Sequence, residues 1–282
     1  MPPSQEPAFE ARTAAAMNEC RQALAVRRIA DEHLALRGGV AGFMAGTPWV
    51  CKAVAVDLEH PLDKAAVAEL VAWFEARGAR PLVEVTSFSA PRTFASLAEA
   101  GLALVETEHV YVCRLPGPEH ALPSGYAMRA LDVDDEAAMQ SHAEIVCSGF
   151  HPDPETRPPG VIESAKRGQR QEGAQGFFVL GPQGDPVAAS GMEITTVEHP
   201  VLAGPQTLAA LWGTTVLPDH RGKGLQQALM AHRLSVGAAG GARVAFIESQ
   251  PGIPTARNAV RLGFTLGYTR LVFRARRNAP RA

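Results

Sequence analysis

The chain reads as an α/β protein built of two similar halves, and three observations predict that class. The second half runs strand, strand, strand, helix, strand, helix, strand, an order that calls for helical crossovers on a sheet. A matching pattern occurs 162 residues earlier. A proline-rich stretch, "LPGPEHALPSGYA" at residues 115–127, stands between the two.

Each element follows from its local pattern. In the second half, "GFFVLGPQGDPVAASGMEI" gives a strand hairpin over 177–180 and 186–194 that turns through Gln183, Gly184 and Asp185. "LAALWGTTV", 208–216, is a strand rich in β-branched and aromatic residues. Leu225, Ala228, Leu229, His232 and Val236 then recur at helical spacing. "ARVAFIES", 242–249, is a short buried strand. "PTARNAVRL", 254–262, is a helix opened by Pro254 and closed by Gly263. "TRLVFRAR", 269–276, is the last strand.

At the fixed offset Val67 meets Leu229, Phe74 meets Val236, Val85 meets Ile247 and Ser87 meets Ser249. Gly101 meets Gly263 and Tyr111 meets Phe273. With 282 residues the chain has room for two ordinary domains, and the proline-rich stretch sets them at 1–117 and 125–282.

Charge and composition exclude several functions. The formal net charge is −2, so no global positive field holds nucleic acid or an anionic membrane, and any anion site is local. Cys20, Cys51, Cys113 and Cys147 have neither zinc spacing nor a disulfide framework, and no metal is expected. Glu6, Glu10 and Arg12 near the start are wrong for a signal peptide, and no membrane-spanning apolar run occurs. A cytoplasmic protein is the expectation.

The chemistry concentrates in "TTVLPDHRGKGLQQALMAHRL", 214–234, where a strand feeds a helix through His220, Arg221, Gly222, Lys223 and Gly224. The first backbone N–H groups of a helix lack intrahelical partners, and its dipole attracts anions. Gly222 and Gly224 leave those donors uncovered, and Arg221 and Lys223 add positive charge, an arrangement suited to a pyrophosphate. The plainer alternative is a tight strand-to-helix turn with solvated basic side chains. A Walker loop needs Ser or Thr after the lysine, and Gly224 follows Lys223. A dinucleotide fingerprint needs three glycines in the first βα unit, so neither motif fits.

These residues resemble the GNAT superfamily of acyl-CoA-dependent N-acyltransferases, whose phosphate loop has the pattern Gln/Arg-x-x-Gly-x-Gly/Ala. Arg221, Gly224 and Gln226 occupy those places, Gln226 departing from the small residue of the pattern. "ARNAVRLGF" resembles the superfamily's fourth helix and the strand after it. The resemblance implies two tandem domains, each a mixed, mostly antiparallel sheet flanked by helices. The first is a degenerate copy in which "DLEHPLDK", 57–64, replaces "DHRGKGLQ". Three carboxylates and a proline there oppose a pyrophosphate, so one acetyl-CoA per chain is expected, in the second copy.

The resemblance further implies that Val216 and Leu217 make strand-like backbone bonds to the pantetheine arm. Arg221, Gly222, Lys223, Gly224, Leu225 and Gln226 then hold the phosphates, with Asn258 nearby. The acceptor amine must lose a proton before attack, and Glu248 and then Glu193 are the candidate bases. Either reads equally as a structural or solvated carboxylate. Family members commonly carry a tyrosine acid on the fourth helix, where this chain has Ala259; Tyr268 is the candidate substitute. Trp212 reads as core, and loop 149–160 as a border of the acceptor pocket.

The leading function is acetyl transfer from acetyl-CoA to a primary amine of a small molecule or peptide, by direct attack on the thioester. The rivals are a non-catalytic acyl-CoA-binding or sensing module and a scaffold of two spent copies. The intact "RGKG" opposes the scaffold.

Overall fold

The computed structural model describes residues 10–47 and 49–275; Glu6 and Arg276 lie outside the described residues. The first half opens with a long helix, α1 (Ala11–Ile29), whose start Glu10 caps through Arg12 N and Thr13 N. Strands β1 (Glu32–Leu36) and β2 (Gly39–Phe43) form a hairpin through Arg37 and Gly38, both at positive φ, as a two-residue hairpin turn requires. Then come β3 (Ala53–Val54), α2 (Lys64–Glu75), β4 (Leu82–Thr86), α3 (Pro91–Glu99) and β5 (Leu102–Arg114).

The second half starts with β6 (Ala127–Ala130), α4 (Glu136–Phe150) and α5 (Val161–Arg170). It continues with β7 (Ala174–Leu180), β8 (Pro186–Val197), β9 (Gln206–Val216), α6 (Leu225–Ala239), β10 (Val244–Ser249), α7 (Pro254–Arg261) and β11 (Thr265–Ala275). The run β3-α2-β4-α3-β5 matches β9-α6-β10-α7-β11 element for element, at the spacing read from the sequence. The last strand begins at Thr265 rather than near 269, because Thr265 and Leu266 pair with Val112 and Tyr111 of β5.

The eleven strands among the described residues form one sheet, in the order β1-β2-β3-β4-β11-β5-β10-β9-β8-β7-β6. Pairing is antiparallel except for β3 with β4 and β9 with β10. The centre holds an exchange that local pattern cannot reveal. β11 enters between β4 and β5, and β5 lies between β11 and β10. Each half thus has the other's terminal strand in its sheet.

Four helix groups cover the sheet, and in one of them α4 packs Met139, Ile145 and Val146 against Phe178 and Ala189. α2 and α3 bury Val67, Leu70, Phe74 and Leu97 against Val83, Val85 and Phe273. α6 and α7 bury Leu225, Leu229, Leu234 and Ala259 against Tyr111, Leu211, Ala245 and Ile247. Helix α1 takes the opposite face of the central strands, setting Ala14, Ala15, Ala16 and Met17 against Val110, Val112, Ala210, Phe246 and Tyr268. Its alanines allow the close approach, and Asn18, Glu19, Arg21 and Gln22 are buried with them. Among the described residues no helix is long and apolar enough to cross a membrane.

Candidate active site

The site begins where β9 and β10 part. Their parallel ladder runs from Ala209 and Ala245 to Leu211 and Ile247 and goes no further. Beyond that point β9 is bulged: Ala189 pairs with Thr215 and Gly191 with Trp212, which leaves Gly213 and Thr214 opposite one residue of β8. A bulge bends its strand and increases the local twist, which turns β9 away from β10. Gly213 has φ +61°, and a Cβ there would lie 2.9 Å from Val146 Cγ1.

Arg233, on α6, reaches this bulge from below and is wholly buried. It donates to Gly191 O (2.8 Å), Trp212 O (3.2 Å) and Thr214 Oγ1 (2.7 Å). Burial lowers its pKa to about 9, still well above neutral, so it stays a cation there. It therefore satisfies carbonyls that the broken ladder leaves unpaired. The sequence carries one signal for it: an arginine four residues after Leu229, on the helix's apolar stripe. Trp212, expected in the core, is half-buried at the lip of the divergence.

The basic loop follows directly. Residues 218–220 make a single 3-10 turn, and α6 starts at Gly224, with φ +78° and no side-chain cap. The first bond into the helix runs from Ala228 N to Gly224 O, so Leu225, Gln226 and Gln227 keep N–H groups without a helical acceptor. Gly222, φ +75°, has open space where a Cβ would be. Lys223 Nζ donates to Tyr126 Oη (3.1 Å), and that hydroxyl pairs with His220 Nδ1 (3.0 Å). Tyr126 comes from the stretch between the halves and escaped the sequence reading.

One expected backbone donor is already in use within the protein. Leu217 N donates to Val187 O (2.9 Å), and Val216 O accepts from Arg221 Nε (3.0 Å), so Leu217 has no free N–H for a pantetheine arm. Leu225 has a buried side chain, so its contribution to an anion is its N–H alone. Gln226 and Asn258 tie α6 to α7: Asn258 Nδ2 donates to Gln226 Oε1 (2.7 Å), and Gln226 Nε2 to Thr255 Oγ1 (3.1 Å).

The corresponding helix start in the first half is closed. Asp63 caps α2 by accepting from Ala66 N (2.9 Å) and is itself held by Arg37 (2.7 Å). A carboxylate thus stands where the second half presents open donors.

On the α1 side of the divergence lies a buried ionic cluster. Arg270 of β11 contacts Glu19 (2.8 Å), Glu84 (3.7 Å), Glu108 (3.0 Å) and Glu248 (2.9 Å). Arg21 joins Glu193 (3.3 Å) to Glu248 (3.0 Å), and Lys52 holds Glu84 (3.0 Å). Five carboxylates thereby share three cations. Such a cluster is weak evidence for stability but a strong local source of negative potential.

The candidate acid and bases all fall in this cluster, with unequal fitness. Glu248 also accepts from Asn18 (3.0 Å) and Gln22 (2.7 Å), so it is no solvated strand end. Burial opposes its ionisation, but Arg270 and Arg21 outweigh that and hold its carboxyl well below the usual range. A base so acidic is a poor acceptor of an ammonium proton. Burial raises Glu193, with Arg21 acting against it, but its side chain is only 1% exposed. Tyr268 lies on β11, separated from β10 by β5. Its hydroxyl donates to Glu19 and accepts from Asn18 (2.9 Å), and burial and Glu19 push its pKa well above the usual value. A proton held that way is not free for a departing thiolate.

Comparisons with known proteins bear on the same region. Residues 141–264, less than half of the chain, match the acetyltransferase (GNAT) family model, and the matched stretch spans the parted strands and the loop. Among solved structures, a GCN5-related N-acetyltransferase from Kribbella flavida is 17% identical, with a TM-score of 0.69, covering 94% of this chain and 96% of its own. A tandem GNAT protein from the clavulanic acid biosynthesis pathway, solved without acetyl-CoA, is 16% identical, with a TM-score of 0.59, covering 85% and 78%. At these identities the likeness is one of fold, and it extends over both halves. No curated protein matches.

Proposed function

We propose that the second half transfers an acyl group from acyl-CoA, with acetyl-CoA as the donor, to a primary amine of a small molecule or peptide. One observation carries the reading: a bulged strand parts from its neighbour and runs straight into an uncapped helix start flanked by two left-handed glycines. The parted strands offer a slot for an extended arm. The N–H groups of Leu225, Gln226 and Gln227, with Arg221 and Lys223, offer donors to a pyrophosphate. Acyl-CoA supplies an activated thioester.

The chain's own residues do the rest. Arg233 fixes the bulge and so the width of the slot. The excess of carboxylates under α1 favours an acceptor that arrives as an ammonium ion. Glu248, whose carboxyl Arg270 and Arg21 hold well below the usual range, orients that cation, and Glu193 adds to the field from β8. The Asp63 cap on α2 supports a single donor site per chain. Ala259 supplies no acid on α7, which matters little because a thiol resembling cysteine, with a pKa of roughly 8.5, leaves as thiolate near neutral pH.

The test is mass spectrometry of a metabolite extract incubated with the full chain and acetyl-CoA. The reading expects at least one amine to gain an acetyl group while free CoA accumulates. If no product forms and CoA does not raise the melting temperature, the reading fails. Binding without product would favour the acyl-CoA-binding module instead.

A further inference from the structure

We infer that the proton acceptor for the attacking amine is Glu108, a residue of β5 that the first half contributes to the second half's site. The inference rests on the acyl-transfer reading above and names a residue that reading leaves out.

The sheet order is the first ground. Because β5 lies against β10, the first half delivers its own side chains beside the diverging strands. Glu248 pairs in register with Val110, and Glu108 follows two residues along β5 on the same face. The second ground is a shared partner: Glu108 Oε2 and Glu248 Oε2 lie 3.0 Å and 2.9 Å from the same nitrogen, Arg270 Nη1. Two carboxylates therefore sit side by side. The third ground is access. Their side chains are 27% and 22% exposed, whereas Glu19, Glu84 and Glu193 are 8% or less.

The pair divides its duties by environment. Glu248 faces two arginines and stays ionised. Among the described residues Glu108 has Arg270 as its ion-pair partner, and the charges of Glu248 on β10, Glu84 on β4 and Lys52 before β3 also act on it. Burial and then the Glu248 charge raise its pKa to about 7, against Arg270. Adjacent carboxylates with separated proton affinities can bind a cation with one member and take its proton with the other.

The protons balance as follows. The acceptor ammonium gives one proton to Glu108, and the freed lone pair forms the carbon–nitrogen bond. The carbon–sulfur bond then breaks, with its pair leaving on sulfur, and the nitrogen loses a second proton. One of these two protons returns to the thiolate, and the other passes to solvent.

The experiment compares the wild-type chain with Glu108→Gln, which keeps the group's shape. The pH dependence of kcat/KM is measured with an amine found to be acetylated. Wild type should rise through an inflection near pH 7, and the variant should lose both that inflection and about 100-fold in rate. A merely structural role would lower the melting temperature and leave the inflection in place. The second measurement needs no variant activity: the Glu108 carboxyl carbon, labelled and assigned by its loss in the variant, should titrate near pH 7. Glu108 ionised throughout pH 5.5 to 9, or a variant within threefold of wild type with its inflection intact, would overturn the inference and leave acyl transfer standing. A wild-type chain that binds CoA and acetylates no amine would overturn both.

Discussion

Gly224→Asp would close the proposed phosphate site with the kind of group that closes its counterpart on α2. Gly224 sits at φ +78°, a left-handed position that Asp adopts at a cost of about 1 kcal/mol. Its Cβ would come 3.3 Å from His120 Nε2, the tip of an exposed side chain that can move aside. Folding should therefore survive, with a melting temperature lower by roughly 2–4 °C. Binding should not survive. The new carboxylate lies among the N–H groups of Leu225, Gln226 and Gln227 and faces any phosphate placed there. Loss of two charge-assisted bonds, at about 1.5–3 kcal/mol each, removes about 3–6 kcal/mol, or on the order of 10²–10⁴ in affinity. Calorimetric titration with CoA reads the affinity directly, and Gly224→Ala controls for backbone strain without the charge. A well-folded Gly224→Asp protein that binds CoA within tenfold of wild type would refute the assignment of this helix start as the anion site.

Two further outcomes follow from the cluster and the strand exchange. Tyr268→Phe removes a buried hydroxyl that links Glu19 to Asn18; it should cost about 1–3 kcal/mol in denaturant titration and change acyl transfer by less than tenfold. A larger catalytic loss at unchanged stability would restore Tyr268 as the acid. Residues 1–116 made alone lack β11, which lies between β4 and β5, and should remain unfolded or aggregate through unpaired strand edges. A cooperative thermal transition in that fragment would mean that the first half folds independently of the exchange.

Local pattern was enough to read much of this protein. The alternation of 177–194, the helical spacing after Leu225, and Pro254 with Gly263 around α7 all report the state of a few consecutive residues, and the structure has those elements at those places. The 162-residue repeat was legible because it compares one such pattern with another. The loop was legible for the same reason: glycines at positive φ before a helix start are a local requirement, and Arg221 to Gln226 are contiguous. The ionic cluster was hidden because its members come from α1, the segment before β3, β4, β5, β8, β10 and β11, and only the tertiary fold brings them together. Glu248 and Glu193 read as strand carboxylates until Arg21 and Arg270 are seen against them, and a carboxyl's proton affinity depends on its neighbours more than on its own place in the chain. Arg233 showed itself only as a charge on an apolar stripe, since the carbonyls it satisfies lie on β8 and β9. The sequence alone determined which segments are strands and helices and where an anion could meet open backbone donors. The tertiary structure decided which carboxylates share a cation and which half supplies them, because those are properties of through-space distance and burial, and the exchange of β5 and β11 sets both.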